Sequence, residues 1–389
     1  MADIAGALNA ATEAVTEDRV VELARMICAA PTPDGKEGAV AEIVAGALER
    51  PGIEVHLMEL VTGRPNVIAR VRGTGERPPL VLNGHMDAHA HPGPWSHDPL
   101  DPWIENDRVY GFGITDMLGA VAAMVAAVEV APTMGPLPGD LIMQAVMHHD
   151  TIGLGTKYVL ASEGPNEGYA ICGEPSGLAI HTGNGGALKW EVRLRGETAH
   201  VSRQELARDA LAAAVDVYNA IEIDTFDYEP FDRLPDLPRL VKGEIQGGFA
   251  PGSVADEAVV RGDLRYVPGM DRHNVMARIK ETVDRVCPDN IERRVRITAV
   301  QNPFMGATEG KLIDSISEAH AGALGSAPRV TNELPGQAFI TDAADLARAG
   351  LETVVYGVGQ WHDAPDQFVE IEELVASARI SLALAAGMS

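Results

Sequence analysis

The chain has 389 residues, with 56 acidic and 31 basic side chains and a formal net charge of -25 at pH 7. At ~150 residues per domain that length suggests two domains, and 46% hydrophobic with 22% charged residues is a globular balance with ample material for a core. The acidity argues against nucleic acid and anionic membrane as partners, since both attract clustered Lys and Arg.

The first predicted helix carries Val20, Val21, Leu23, Ala24, Ile27 and Cys28 at i, i+3, i+4, i+7 spacing. Thr16, ahead of Glu17 and Asp18, is its expected N-cap, and Pro31 and Pro33 end it. Ahead of it no basic stretch leads into an apolar run, so no secretory signal is expected. A second helix is predicted over 37–49, closed by Pro51 and Gly52. Short β-like runs follow, GIEVHLMEL, NVIARV and PLVLNG, each bounded by Gly or Pro. Next come an Ala-rich helix over 119–130 and the apolar strand LIMQAVM. Strands alternating with helices in this way predict an α/β domain with a largely parallel sheet.

The texture changes after Gly183. LKWEVRLRG alternates apolar and polar residues, the pattern of a sheet with one solvated face. A helix over 207–221, a Pro-rich loop, the alternating run AVVRGDLRYV and a helix over 273–286 follow. After about Val300 the α/β texture returns, with ETVVYGVG as a late strand. The expected division is a domain of 1–183 and 300–389 with an inserted α+β domain of 184–299. The apolar stretches 119–128 and 380–388 fall short of the ~18 residues of a spanning helix. Cys28, Cys172 and Cys287 form no CxxC and no even framework, so they read as buried thiols of a reducing compartment, the cytoplasm.

Half of the twelve histidines (His85, His89, His91, His97, His148 and His149) lie between positions 85 and 149, in loops after apolar strands. In LVLNGHMDAH, His85 and Asp87 are two apart at a strand end and share a face. That suits a ligand His whose second nitrogen is held by a carboxylate, although a His in an ordinary turn has the same spacing. In YGFGITDMLGA, Asp116 precedes a helix and is either its N-cap or a carboxylate bridging two metal ions. MHHDTIGLGT places His148, His149 and Asp150 together at a strand end, a costly set to bury unless something binds them. CGEPSG adds Glu174, and QWHDAPDQF adds His362. These five strand-end sites fall at the edge of one sheet where open α/β folds bind ligands. Their N/O donors suit Zn, Mn, Co or Fe(II).

In order and spacing, GHMDAH, GFGITDMLGA, GEPSG, GETAH and WHDAPDQ resemble the motifs of the M20 family of metallopeptidases and amidohydrolases, nearly end to end. The resemblance implies a catalytic α/β domain built from both chain ends and an inserted lid that forms a homodimer or a higher homo-oligomer. It implies one or two divalent ions, in relatives a pair about 3.5 Å apart bridged by a carboxylate and a hydroxide. His85 and Glu174 would hold one ion, Asp150 and His362 the other, and Asp116 would bridge, with Asp87 orienting His85. His200, in GETAH, matches a lid residue that steadies the oxyanion across the dimer, and the Asp116–Met117 peptide is expected to be cis.

Several positions depart from the family pattern. His149-Asp150 stands where most members have two glutamates, a general base and a ligand, so Asp150 remains a possible ligand and His149 replaces the proton shuttle. A neutral imidazole can accept that proton; a metal-ligand or a structural His149 are the alternatives. Gly252 replaces an Asn that holds substrate, and Arg265 keeps a D-x-R spacing that a surface ion pair explains equally. Gln367 stands for the usual Glu, and Phe112 and Leu118 for Arg and Lys. Trp361, Trp95 and Trp103 suggest an aromatic-lined pocket or simple core, and His89, His91 and His97 an entrance cluster or a solvated loop. The expected function is metal-dependent hydrolysis of a C–N bond in a small, non-standard substrate, either an amide or an amine on an activated carbon. Two alternatives stay open: a non-catalytic relative that binds metal or a small molecule, and an enzyme with a single ion.

Overall fold

The run LVLNGH forms a strand, Leu80–His85, whose six residues are all buried, as a strand covered on both faces requires. In the computed structural model, which describes residues 3–30, 35–88, 93–149, 153–361 and 364–389, this strand sits inside an eight-stranded sheet. Numbered along the chain, the strands of that sheet are β1 (Glu54–Val61), β2 (Arg64–Val71), β3 (Leu80–His85), β4 (Leu141–Val146), β5 (Gly168–Cys172), β6 (Ile180–His181), β7 (Val330–Thr331) and β8 (Leu351–Val355). Their spatial order is β1-β2-β4-β3-β5-β8-β6-β7. The central four, β4, β3, β5 and β8, run parallel, while β1 and β2 pair antiparallel at one edge. The register sets His85 beside Val146 and Asn83 beside Cys172. The chain therefore leaves β3, β4 and β5 along one edge, the ligand-binding edge of such sheets.

Helices pack on this sheet because their apolar faces have nowhere else to go. In Gly119–Val130 eleven of twelve residues are buried, so the helix is apolar all round, as a core helix is. The helical run Ile114–Met134 around it is long and apolar enough to cross a membrane. Inside the fold, however, 89% of its most apolar window is buried, which identifies it as core. The predicted helices over 17–28 and 37–49 are present as Glu17–Cys28 and Gly38–Leu48. Thr16 stands at the first N-cap without a side-chain hydrogen bond. An additional helix, Ile4–Ala14, is capped by Asp3, whose carboxylate accepts from Gly6 N–H at 2.8 Å. All three cysteines are free and buried.

The described residues divide into two compact units. The first comprises Met1–Gly183, Phe304–Gly336 and Thr341–Ser389; the second comprises Asn184–Pro303 and Gln337–Ile340. The second unit holds an antiparallel sheet in the order Arg239–Gly247, Glu257–Tyr266, Gly186–Arg195, Glu292–Gln301. Leu188, Trp190, Val192 and Leu194 alternate into its core with the helices Ala210–Ala220 and Arg272–Val286. Residues 207–209, expected to be helical, lie outside because Asp209 caps the helix by accepting from Ala212 N–H at 2.9 Å. On the opposite face Glu191 is buried among Arg193, Arg261 and Arg296 at 2.6–2.8 Å. Burial alone would raise its pKa, but the three guanidiniums hold it down at about 2.

Candidate active site

β3 delivers His85 to the sheet edge, 2% exposed. Its Nδ1 lies 2.7 Å from the backbone carbonyl of Asp87. The Asp87 carboxylate, expected in that place, is 3.9 Å away and instead accepts from the backbone N–H of His149 at 3.1 Å. The tight turn after the strand explains the exchange: it brings the carbonyl under the ring and turns the side chain toward the neighbouring loop. Asp87 thus ties both histidine segments together. The other ring nitrogen, Nε2, is 3.1 Å from Asp116 Oδ1 and 3.8 Å from Glu174 Oε1.

Asp116 is carried by a short π-turn, Ile114–Leu118, and the Asp116–Met117 peptide is cis, as the family resemblance implied. Gly113 makes the entry possible, with φ +67 and the Ala88 Cβ 2.6 Å from where its own Cβ would stand. Gly113 N–H donates to Gln367 Oε1 at 3.0 Å, so a neutral amide does the accepting there. Phe112 and Leu118 are buried.

β4 leads to His149 through His148, which is held at φ 57, an uncommon conformation for a non-glycine residue. Gly155 opens the next helix, Leu154–Ser162, so close to the strand end that a Cβ would stand 2.6 Å from Asn66 Oδ1 and 2.8 Å from Met147 N. The His149 ring is buried and stacked on His85, with centroids 4.5 Å apart and planes 5° from parallel. Its Nε2 is 3.4 Å from Glu174 Oε1, and its Nδ1 is 3.0 Å from Asp342 Oδ1. Sequence reasoning missed Asp342. It sits immediately before the helix Ala343–Arg348, where an Asp reads as an ordinary cap.

The ligand atoms of His85, His149 and Glu174 all lie within 4.8 Å of one another. Glu174 is buried, and its Oε1 has no hydrogen-bond partner among the described residues. A buried carboxylate oxygen without a donor is costly, and facing the imidazole nitrogens it forms a seat for a cation. The electrostatics agree. Burial pushes Glu174 up to about 8 against the pull of His149 and His85. Burial lowers both imidazoles, yet Asp116 raises His85 well above its ordinary value and Asp342 carries His149 to about 10. Every direction reports a demand for positive charge. A divalent ion on N and O donors answers it.

The remaining sequence-predicted residues are placed as follows. Asp150 and His362 lie outside the described residues, as do His89 and His91. His97 packs on Trp103, which stacks on Tyr110. Trp361, in the first unit, is 39% exposed. In the second unit, His200 is exposed and its Nδ1 is 2.9 Å from Ser202 Oγ. Gly252 helps line a cavity of about 550 Å³ with Val201, Gln204 and Phe249, and Arg265 donates to Asp263 and to the Ala338 carbonyl, both at 3.2 Å.

Comparison with known proteins agrees with this architecture. The sequence pattern of peptidase family M20/M25/M40 matches residues 81–386. A succinyl-diaminopimelate desuccinylase of Gluconobacter oxydans is 30% identical over 94% of this chain and 97% of its own length. N-formyl-4-amino-5-aminomethyl-2-methylpyrimidine deformylase of Bacillus subtilis is 25% identical over 94% and 93%. Among solved structures, a dinuclear metal-binding peptidase of the M20 family from Bacillus subtilis superposes with a TM-score of 0.67 at 16% identity, covering 95% of this chain and 97% of that one. The chain belongs to peptidase family M20/M25/M40, a family of metal-dependent hydrolases.

Proposed function

We propose that the chain hydrolyses a C–N bond of a small substrate with the help of one or two divalent ions, and that His149 carries the proton. The carrying observation is the buried set His85, His149 and Glu174, with a Glu174 oxygen that has no hydrogen-bond partner among the described residues. His85 and Glu174, with Asp116 alongside, would hold one ion; Asp150 and His362 would hold a second. Zinc suits the donors, as do manganese, cobalt and iron(II). When bound, such an ion supplies a Lewis acid that polarises the scissile carbonyl and makes water nucleophilic near neutral pH.

The role of His149 follows from ring geometry. An imidazole lone pair lies in the ring plane. Two stacked, nearly parallel rings therefore aim their Nε2 atoms side by side rather than at one point. That arrangement favours His85 as the ligand, and a dication held there would offset the carboxylate pull that raises His149, leaving its Nε2 to take a proton from the attacking water and return it to the leaving nitrogen. Burial of the ring excludes competing solvent. An amide is the favoured substrate class, in keeping with relatives named deformylase and desuccinylase. An amine on an activated carbon remains the second class because the substrate-holding Asn is replaced by Gly252, where a Cβ would meet nothing within 4 Å.

In assembly, the exposed His200 would complete the site of a partner protomer in a homodimer formed through the second unit. Sedimentation equilibrium is expected to show that dimer, and a monomer removes the role. The three buried thiols fit a cytoplasmic setting.

The test is a screen of zinc- or manganese-reconstituted protein against N-acyl amino acids, dipeptides, ureido compounds and aryl amines, reading release of amine or ammonia. Turnover abolished by chelation and restored by metal is the expected result. Replacing His149 with Gln should then slow turnover ~10²–10⁴-fold, the usual worth of a positioned acid–base group, with metal content retained. Loss of the metal instead would make His149 a ligand, and metal bound without turnover of any substrate class would favour a binding protein.

A further inference from the structure

Behind His149 lies a chain of buried side chains that nothing described so far assigns to a function. Asp342 is 2% exposed. Its Oδ1 faces His149 Nδ1 at 3.0 Å, and its Oδ2 accepts from the Thr156 hydroxyl at 2.7 Å. Thr156 Oγ1 accepts in turn from Asn83 Nδ2 at 3.0 Å, and the same amide donates to Gln144 Oε1 at 3.2 Å. The carboxylate can only accept, so the Thr156 hydroxyl gives its proton to Asp342 while it accepts from Asn83. All of these groups are buried, so water does not compete for them.

We propose that Asp342 is the positioning residue of His149, fixing the imidazole as the Nδ1–H tautomer and so leaving the Nε2 lone pair facing Glu174. A carboxylate has only acceptors to offer, so the ring nitrogen beside it must carry the hydrogen. Thr156 holds the second carboxylate oxygen and stops Asp342 from rotating away. Helix Leu154–Ser162 carries Thr156, so the helix that follows His149 in sequence also supports its partner. This dyad rests on the hydrolase reading for its purpose but not for its existence, which is a matter of hydrogen-bond geometry.

The experiment uses zinc-loaded, ¹⁵N-histidine-labelled protein and long-range ¹H–¹⁵N correlation spectra, with the His149 signals assigned by their loss in His149→Gln. With zinc taking up the charge of Glu174, which otherwise faces Nε2 at 3.4 Å, wild type is expected to show a single Nδ1–H tautomer at His149. Asp342→Asn keeps the shape but offers both a donor and an acceptor, so a mixture of both tautomers is expected, with zinc content and circular dichroism unchanged. Thr156→Val, which only frees the carboxylate, is expected to shift the same population by a smaller fraction. An Nε2–H tautomer in wild type overturns the proposal even if neither variant folds, as does a spectrum unmoved by Asp342→Asn. The readout needs no turnover: an inactive protein with the Nδ1–H tautomer keeps the dyad and loses the hydrolase reading. An active protein with the other tautomer does the reverse.

Discussion

Exchanging Glu174 for Gln is expected to remove one equivalent of bound divalent metal and to cut turnover by on the order of 100-fold or more, since even partners one shell further out are worth 10–100-fold. Gln matches the side chain in size, so the buried pocket keeps its packing while the anionic donor is lost. Oε1 faces two imidazole nitrogens at 3.4 and 3.8 Å and, among the described residues, accepts no hydrogen bond. A neutral amide there cannot balance a dication. Elemental analysis checks the first part and release of amine or ammonia the second. Thermal unfolding gives an independent reading, because an ion that binds only the folded state adds about 2.7 kcal/mol at 100 times its Kd. Wild type should gain that increment on zinc addition and the variant should not. An unchanged zinc content would move the ion away from this cluster.

The second large effect belongs to a residue outside the cluster. Replacing Glu37 with Ala is expected to destabilise the protein by ~3–5 kcal/mol, the usual result of removing one member of a buried ion pair. The Glu37 side chain has no exposure, and Arg64 has 14%. Arg64 Nε donates to Oε2 at 2.7 Å and its terminal nitrogen contacts Oε1. The same Oε1 accepts from His148 N–H at 3.1 Å, so the pair also braces the left-handed residue that delivers His149. Chemical denaturation measures the loss, with Glu37→Gln expected between the variant and wild type. Burial acts to raise the pKa of Glu37, but the hydrogen bonds from Arg64 and the backbone bring it below the ordinary 4.5. A depressed folded pKa gives a contribution that is complete above the unfolded value and is lost as pH falls through the folded one. The difference between wild type and Glu37→Gln should therefore be constant near neutrality and shrink below about pH 4.5. A difference that grows with acid would contradict the assignment.

The candidate cluster is legible in the sequence because its members stand at strand ends. Apolar runs close with His85, His149 and Glu174, and a parallel sheet gathers such ends along one edge without regard to their separation in sequence. What escaped notice depends on the backbone path. Asp87 was expected to hold His85 by its carboxylate, but the turn presents its carbonyl and sends the carboxylate to the next loop. Asp342 stands in FITDAADLARAG, where composition offers only a helix cap. Glu37 and Arg64 begin two ordinary elements, and nothing local announces a pair that closes over His148. Spacing reveals donors that point the same way, whereas partners that meet head-on from different segments leave no period to read.

The contact between His149 and Asp342 spans 193 positions of the chain. For a flexible chain the entropic cost of such a closure rises only as the logarithm of its length, and most of the intervening residues belong to a unit with its own core. If that unit compacts first, it shortens the stretch of mobile chain that remains to be closed. The contact from Asp342 to the His149 ring then forms once the segment leading into β8 has docked beside β5. A chain caught partway would hold His85 and Glu174 without the Asp342 contact to His149.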